Sequence, residues 1–319
     1  MSSIAIPAAE KVAVIELEKP AGQWTLAWRR LRRHKLAMVG FVTLILITLA
    51  SIAAPVIAPY PYEEINLYRS YAPVMSLGDP GRPMHYLGTD RLGRDMFSRL
   101  LYAGRISLLV ALSVTLFTVI AGAVIGAIAG SFGGGIESSL MRFTDIMLTL
   151  PQLPLLLVLS SSLRQYSQLQ MFLGSNFSVI IIIFVLVVFG WMGVARLVHG
   201  SVLSLRGQEF IQATRAMGAD ETHIILKHLI PNSFAPIIVA ATLGFGGVII
   251  AESSLSFLGF GVMPPVPTWG NMLNEARAAP LKDLFTQALF PGFFIFVTVL
   301  AINFIGDGLR DALDPRLKM

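Results

Sequence analysis

Apolar residues along the chain are gathered into six long runs that contain no Asp, Glu, Lys, Arg or His. A helix needs about 20 apolar residues to cross the roughly 30 Å hydrocarbon core of a bilayer, and each run is close to or above that length. Because backbone N–H and C=O groups find no water inside lipid, each run is predicted to be a transmembrane helix. The runs are Leu36–Tyr62, Ile106–Ile136, Ile146–Leu163, Gln165–Ala195, Leu229–Ala251 and Leu284–Gly306.

A seventh uncharged run, Ser253–Asn274, differs from the others in content, because it carries three prolines and three glycines that would interrupt a helix. We expect it to be a loop that dips into the membrane interface through Phe257, Phe260 and Trp269. The pattern therefore predicts an all-α membrane protein with six transmembrane helices.

Composition supports this fold class and excludes others. Of the 319 residues, 55% are apolar and 13% are charged, with a mean hydropathy of +0.70. A soluble domain carries about 25% charged residues, so a soluble globular enzyme is excluded, and the hydrophobicity excludes a disordered chain. The chain has no cysteine, which removes disulfides, thiolate metal sites and a cysteine nucleophile.

The runs divide the chain into an N-terminal tail (1–35), a first transmembrane helix (36–60), an extracytoplasmic loop (61–103) and a core (104–319). The first run is longer than the 7–15 apolar residues of a cleaved signal peptide, so we expect it to stay as a helix. Residues 1–28 are expected to form a mobile tail.

The distribution of Lys and Arg predicts the orientation. With both termini in the cytoplasm, the cytoplasmic segments hold 15 of the 24 basic residues, and they are 1–35, 131–142, 196–231 and 307–319. The basic cluster Trp28–Lys35 directly precedes a membrane helix, so we expect it to contact anionic lipid headgroups rather than nucleic acid.

The most informative polar segment lies within 196–231. Gln208–Met217 is predicted to be a helix that ends at Gly218, with Asp220 capping a second helix that runs to Pro231. Both helices expose apolar side chains. From the residues alone, docking on another protein and packing on the membrane or on the chain's own helix ends are equally good interpretations.

The same segment resembles a known loop. Gln212-Ala213-Thr214, three residues, Gly218, nine residues and then His228-Leu229-Ile230-Pro231 are similar to the EAA loop of ABC-importer permeases, Glu-Ala-Ala, three residues, Gly, nine residues, Ile-x-Leu-Pro. Gln212, Thr214, His228 and Ile230 depart from the pattern. Gln212 lacks the charge of the family's glutamate, whereas the Gly218 and Pro231 spacing is intact.

Three further segments resemble the C-type permeases of dipeptide, oligopeptide and nickel transport, and the resemblance as a whole covers roughly residues 25–319 in family order. They are His85–Arg99, Glu252–Leu273 and Gly306–Arg316. The resemblance implies a type I ABC importer permease with one extra N-terminal helix followed by a five-helix core. It also implies a second permease subunit, two ABC ATPase subunits and an extracytoplasmic solute-binding protein as partners, in the bacterial cytoplasmic (inner) membrane.

In such a permease the EAA loop couples to the ATPase, which binds the ATP and Mg, so no cofactor is expected in this chain. The residues that the resemblance assigns to this coupling are Glu209, Phe210, Gln212, Ala213, Thr214, Arg215, Met217, Gly218, Ala219, Asp220 and Pro231. No lysine in the chain follows a glycine, so a Walker A phosphate loop is absent and ATP hydrolysis is expected on another polypeptide.

The family carries peptides, nickel or oligosaccharides, and small peptides are the expected solute. An ion-coupled secondary transporter is a second interpretation, but it would need paired ionisable residues near the bilayer centre, and the six runs contain none. An intramembrane enzyme is a third, without an evident catalytic pair. The five scattered histidines predict no metal site.

Three residues are candidates for the pathway or a gate: Glu252, Pro151 and Pro154. Glu252 ends the fifth run, and an interfacial glutamate in water or paired with an arginine is the favoured interpretation over a functional site. The two prolines are expected to kink the third run, which either opens a pathway or only serves packing.

Other polar and small residues predict contacts between helices. Arg142 and Asp145 lie three apart and are expected to form a helix-surface pair. The glycines at 122, 126, 130 and 134 are expected to let another helix approach, from this chain or from a second permease. The charged patch of Asp90, Arg94, Asp95 and Arg99 could meet the substrate-delivery protein or pair internally.

Overall fold

The computed structural model describes residues 23–78, 80–165 and 167–313. Over those ranges the regular structure is helical and no β-sheet forms. A π-helical turn, Ile225–Leu229, joins two of the helices. The helices are α1 (Gln23–Arg33), α2 (Lys35–Ile52), α3 (Ala54–Ile57), α4 (Met96–Phe132), α5 (Gly134–Thr149), α6 (Gln152–Arg164), α7 (Ser167–Leu173), α8 (Phe177–Arg206), α9 (Glu209–Ala216), α10 (Glu221–Ile224), α11 (Ile230–Asn232), α12 (Phe234–Phe257), α13 (Trp269–Ala276) and α14 (Leu281–Leu313).

Five of these helices, α2, α4, α8, α12 and α14, are long and apolar enough to cross a membrane. The pair α5 and α6 passes the same test together but is bent by 90°, so it is the sixth candidate span. The all-α membrane fold expected from six apolar runs is confirmed, with one of the six spans broken. Several helices extend beyond their uncharged run, and charged residues in these extensions, such as Arg99 of α4 and Arg196 of α8, pair with neighbouring elements.

The break in the third span lies at Leu150 and Pro151, between α5 and α6. Pro151 precedes the first residue of α6 in an extended conformation, and Pro154 lies in the first turn of that helix. Proline lacks the N–H that continues a helix and its ring crowds the preceding turn, so the kink expected from Pro151 and Pro154 becomes a right-angle bend here.

The expected loop at Ser253–Asn274 is partly wrong. Helix α12 continues to Phe257, and Trp269 begins α13, which a capping box of Thr268 and Asn271 starts. The prolines fall only in the connection between the two helices, so they interrupt neither. Trp269 is fully buried against α4 and Phe294 rather than placed at the membrane interface.

The N-terminal region also differs from expectation. Helix α1 begins at Gln23, so residues 23–28 of the expected tail are helical, and residues 1–22 lie outside the described residues. Its apolar side faces α14, where the built Cβ of Gly308 would lie 3.1 Å from Leu31. His34 caps α2 and lies 3.7 Å from Asp311. Helix α1 is therefore packed against the end of α14.

The glycine series brings α4 against α8 of the same chain. A Cβ built on Gly122, Gly126 or Gly130 would lie 2.6, 2.3 or 2.7 Å from atoms of α8, so the two backbones touch. We call Gly122, Gly126 and Gly130 the glycine seam. Gly134 does not belong to it, because it has a φ of +58°, is the first residue of α5 and has free space around it. The helix spacing ends at Phe132 with α4, which is why the fourth glycine falls out of line.

The charged patch before α4 pairs within the chain. Asp90, Arg94 and Arg99 are each 5% exposed or less. Arg94 lies 2.7 Å from Asp90 and 2.8 Å from Glu275 of α13, and Arg99 binds the same two carboxylates. Asp95 caps α4 and accepts a hydrogen bond from His85 at 2.8 Å. We call Asp90, Arg94, Arg99 and Glu275 the buried ion network.

Exposed charges join α5 to α8. Asp145 pairs with Arg196 of α8 rather than with Arg142, and Glu137 lies 2.9 Å from His199. Helix α5 is otherwise mostly exposed, with Thr144 its one buried residue. The Asp145–Arg196 ion pair, the contact between Glu137 and His199 and the ring contact between Phe143 and Trp191 hold α5 in place.

Candidate functional site

The loop between α8 and α12 is built around two short helices, as its sequence predicts. Helix α9 begins after Gln208, whose backbone is extended, and it ends at Ala216 with Met217 as its C-cap. Gly218 follows with a φ of +86°, in the left-handed region that favours glycine. A Cβ at Gly218 would meet no atom within 4 Å, so the backbone conformation alone requires glycine there.

The second half of the loop follows its sequence closely. The side chain of Asp220 accepts a hydrogen bond of 3.2 Å from the N–H of Thr222 and so caps α10. Helix α10 passes through the π-helical turn into α11, which ends at Asn232, one residue past the predicted end at Pro231. The π-helical turn changes the helical register just before the proline.

The face of the loop that points toward the bundle is apolar and buried. Ile211, Ile224 and Leu229 are each 1% exposed or less, and they share one apolar cluster with residues of α4 and α8. The α4 members include Ala127, and the α8 members include Val198 and Val202. This face is packed on the chain's own helix ends, so one of the two open interpretations applies to it.

The opposite face of the loop keeps large apolar side chains in the open. Phe210 is 44% exposed, Met217 is 80% exposed and Leu226 is 63% exposed. No contact within the described residues covers Met217, whereas Phe210 lies near the ring of His228. This outer face is open to a partner because α4 and α8 of the chain pack on the inner face.

The remaining candidate residues surround this outer face. Gln212 makes one weak contact of 3.4 Å to the carbonyl of Gly207, and Thr214 bonds back to the carbonyl of Phe210. Ala219 packs at the edge of the buried cluster. Exposed candidates are Glu209, Gln212, Ala213, Arg215 and Pro231.

Polar contacts also tie the loop to the C-terminal end of α4, which sequence reasoning missed. Glu221, the first residue of α10, accepts hydrogen bonds from Arg215 at 2.8 and 3.0 Å and another from the hydroxyl of Ser131. Arg206 donates to the carbonyl of Gly130 at 3.3 Å. No local pattern signals the two contacts with α4, because their partners are 90 and 76 residues apart.

The kinked span borders a cavity of about 280 Å³ between α4, α6, α8 and α12. Small residues of α12, Ala240 and Gly244 among them, line one side, and Gln152 of α6 lines another. The hydroxyl of Thr115, on the α4 side, is buried without a hydrogen-bond partner among the described residues. Pro151 and Pro154 thus bend the chain next to a partly polar cavity.

Glu252 does not fit the interfacial interpretation that the sequence favours, which is wrong. Its side chain is 1% exposed, and its partners are the hydroxyls of Ser256 at 2.7 Å and of Ser107 and Ser253 at 3.4 Å. Ser107 belongs to α4 and also accepts the N–H of Trp269. Because α12 does not end at Glu252, the carboxyl group points into the packed junction of α4, α12 and α13.

Comparison with known proteins matches two regions of the chain. Residues 122–319 match the family described as binding-protein-dependent transport system inner membrane component, and residues 22–73 match the N-terminal TM domain of oligopeptide transport permease C.

The chain is also similar over nearly its whole length to named permeases. It is 37% identical over 303 residues to the dipeptide transport system permease protein DppC of Bacillus subtilis, covering 95% of this chain and 89% of the relative. It is 35% identical to the oligopeptide transport system permease protein OppC of the same organism, covering 97% and 94%. The glutathione transport system permease protein GsiD of Escherichia coli is 39% identical, covering 92% and 91%.

Proposed function

This chain belongs to the family of inner membrane components of binding-protein-dependent transport systems, and on that premise we propose that it translocates small peptides. It is a multi-pass permease subunit of an ABC importer. We infer that it acts as one half of a permease heterodimer, with two ATPase subunits and a solute-binding protein. ATP and Mg are then bound by the ATPases, because the chain itself lacks a Walker A sequence.

Peptide as the solute class rests on the relatives. The similar permeases are named for dipeptide, oligopeptide and glutathione transport, and each of these solutes has a peptide backbone. The cavity beside Pro151 supports this class, since its mixture of apolar walls and the polar Gln152 and Thr115 suits an amide backbone better than a bare metal ion. The pathway is proposed to run past this cavity.

A single observation carries the coupling role of the 196–231 loop: its inner face is buried in the bundle while Phe210 and Met217 stay exposed on its outer face. Exposed apolar side chains on a rigid, capped helix are typical of a protein docking site. We place the ATPase on this outer face, which leaves lipid contact to the long helices.

Both termini and the loop are proposed to face the cytoplasm. We count the bent pair α5 and α6 as one crossing, so that six crossings would bring α1, the C-terminal end of α14 and the 196–231 loop to the same side of the membrane. The 3.7 Å distance between His34 and Asp311 supports this for the first two. The basic residues of α1 lie on that side, as the excess of Lys and Arg in cytoplasmic segments requires. Since the chain has no cysteine, single cysteines at exposed Met217 and Leu281 report this orientation by impermeant labelling from either side.

Docking is tested by substituting Met217 in the complex of this chain with its second permease and ATPases. Met217→Asp places a charge in an apolar interface and is expected to reduce copurification of the ATPases and ATP-driven uptake together. The matched control is Leu281→Asp, an equally exposed position at the opposite end of the bundle. Equal ATPase recovery from both variants would contradict docking on this face.

The solute class is tested on the binding protein that copurifies with the importer. Mass spectrometry of its bound ligands is expected to find peptides. Uptake of a radiolabelled dipeptide into proteoliposomes is expected to require ATP on the side of the membrane where the ATPase subunits lie. A binding protein loaded with nickel or an oligosaccharide would overturn the peptide assignment and leave the permease role intact.

A further inference from the structure

We propose that Glu221 is a positioning residue that locks both halves of the coupling loop onto the C-terminal end of α4, so that movement of the docked ATPases reaches α4. This rests on the proposed coupling function of the loop. Glu221 is not among the residues that the EAA resemblance assigns to coupling, and its role follows from its contacts alone.

One carboxylate joins three elements. Both oxygens of Glu221, which starts α10, accept hydrogen bonds from Arg215 of α9. One of them also accepts the hydroxyl proton of Ser131, one residue before the end of α4. The Glu221 side chain is 22% exposed and Ser131 is buried, so the contact is shielded from water on the α4 side.

The apolar contacts of the loop are supplemented here by directional ones. Ile211, Ile224 and Leu229 share their cluster with Ala127 of α4 and Val202 of α8, and apolar contacts of this kind are not directional. Hydrogen bonds to a carboxylate are directional, so Glu221 adds a fixed point of attachment on α4 that apolar packing alone does not provide.

The other side of the loop is tied to the same place. Arg206, the last residue of α8, donates to the carbonyl of Gly130, one residue before Ser131. A side chain on Gly133 would lie 2.7 Å from the Arg206 guanidinium, so this corner is closely packed. The loop is therefore held to α4 where it begins and where its second helix begins.

Helix α4 leads from this point across the membrane. It extends from Met96 to Phe132 and packs along α8 through the glycine seam. Near its other end, Arg99 binds Glu275 of α13 in the buried ion network. A displacement of the loop that is transmitted to Ser131 is thus applied to a rigid helix whose far end contacts the opposite side of the permease.

The test compares transport with ATP consumption in proteoliposomes that contain the whole importer and its binding protein, with a radiolabelled dipeptide as probe. Glu221→Gln is expected to keep ATPase copurification and hydrolysis but to raise the ATP consumed per dipeptide by about fivefold or more, the lower end of coupling between distant sites. Ser131→Ala is expected to act in the same direction. Glu221→Gln keeps one acceptor oxygen but loses the charge that strengthens the hydrogen bonds from Arg215 and Ser131. The effect of the double variant should therefore be smaller than the sum of the two single effects, because both changes weaken the same contact.

Glu137→Gln is the matched control. It removes the same charge and breaks the pair with His199 at the same end of the bundle, but it does not touch the loop. Its ATP-to-dipeptide ratio is expected to stay at the wild-type value. An unchanged ratio in Glu221→Gln, or a ratio raised equally in the control, would overturn the proposal. Additive effects of the two single variants would overturn it as well.

A second measurement needs no solute. In the cysteine-free chain, nitroxide labels at Phe132→Cys and Lys227→Cys report the distance between the end of α4 and the loop in nucleotide-free and vanadate-trapped complexes. With Glu221 present, the distribution of distances between the two labels is expected to stay narrow in both states. With Glu221→Gln, this distribution should broaden when vanadate traps the complex. A distance that already changes in the unsubstituted chain would overturn the lock. Failure of the proposed function itself looks different, because the wild-type complex would then lack bound ATPases or ATP-driven uptake.

Discussion

The two ends of α4 are both held by charged residues, but in opposite environments. At the N-terminal end, Arg99 is 1% exposed and shares Asp90 and Glu275 with Arg94. At the C-terminal end, Arg215 is 42% exposed and Glu221 is 22% exposed. Buried pairs are strongly destabilising when one partner is removed, whereas exposed pairs contribute little to stability.

The buried end of α4 is therefore expected to stabilise the fold, and the exposed end is expected to receive movement from a partner. The buried ion network pairs its charged side chains with one another at one end of α4. The 196–231 loop leaves Met217 and Phe210 open and is stabilised mainly through its buried inner face. Substitutions at the first end should therefore change stability, and substitutions at the second should change transport with stability preserved.

The largest effect is expected from breaking the buried end. Arg99→Ala removes one of the two cations that Asp90 and Glu275 share. Because Arg94 still pairs with both carboxylates, the protein should be destabilised by about 3 kcal/mol, the lower end for breaking a buried pair. Denaturant unfolding of the purified permease would measure it. Arg105→Ala, an exposed arginine on the same helix, is the control, and equal stability of the two variants would contradict an anchoring network.

The next largest effect tests the exposed end. Gly218→Val forces a β-branched residue into a φ of +86°, at a strain of about 1–3 kcal/mol. A strain of about 1.4 kcal/mol lowers the population of the native loop conformation about tenfold. We therefore expect ATP-driven uptake to fall by about tenfold or more while the transmembrane fold is kept. Gly207→Val, at the other end of α9 with a negative φ, is the matched control. Undiminished uptake in Gly218→Val would count against the capped two-helix loop.

A smaller effect is expected at Glu252, in the packed junction of α4, α12 and α13. Glu252→Gln keeps the side-chain length and one acceptor for Ser256, so it should destabilise by about 1 kcal/mol, the value of one hydrogen bond. Thermal unfolding of the permease would measure it, with exposed Asp307→Asn as control. If uptake disappeared while stability and assembly stayed normal, Glu252 would belong to the pathway rather than to the packing.

The smallest effect is expected from restoring the acidic residue of the EAA pattern. Gln212 is exposed and makes only a weak contact, so Gln212→Glu should change stability by less than about 0.5 kcal/mol. Uptake should stay close to that of the unsubstituted chain, as measured beside it in the same vesicles. A large gain would show that the ATPase offers a cation opposite this position.

Local features of the site were predictable from sequence. Gly218 has the left-handed backbone and Asp220 has the capping contact that their residue types predict, because both effects are determined within a few residues. The six apolar runs likewise predict the spans, since membrane thickness sets their length.

Features that depend on distant pairing were not predictable. Glu252 and Trp269 read as interfacial from their neighbours in sequence, yet both are buried because α12, α13 and α4 meet there. The contact between Arg99 and Glu275 joins residues 176 positions apart, and that between Ser131 and Glu221 joins residues 90 apart. A helical pattern indicates which face is apolar, but not which polar side chain on another helix it will meet.

The glycine seam between α4 and α8 has a consequence for evolution and engineering. A methyl group at Gly126 would overlap the carbonyl oxygen of Ala195. The distance between α4 and α8 therefore leaves no room for any side chain larger than hydrogen at this position. Variation in cargo preference among related chains is therefore expected to arise on α6 and α12, where the walls leave room, and a saturation library should find Gly122, Gly126 and Gly130 intolerant of every replacement.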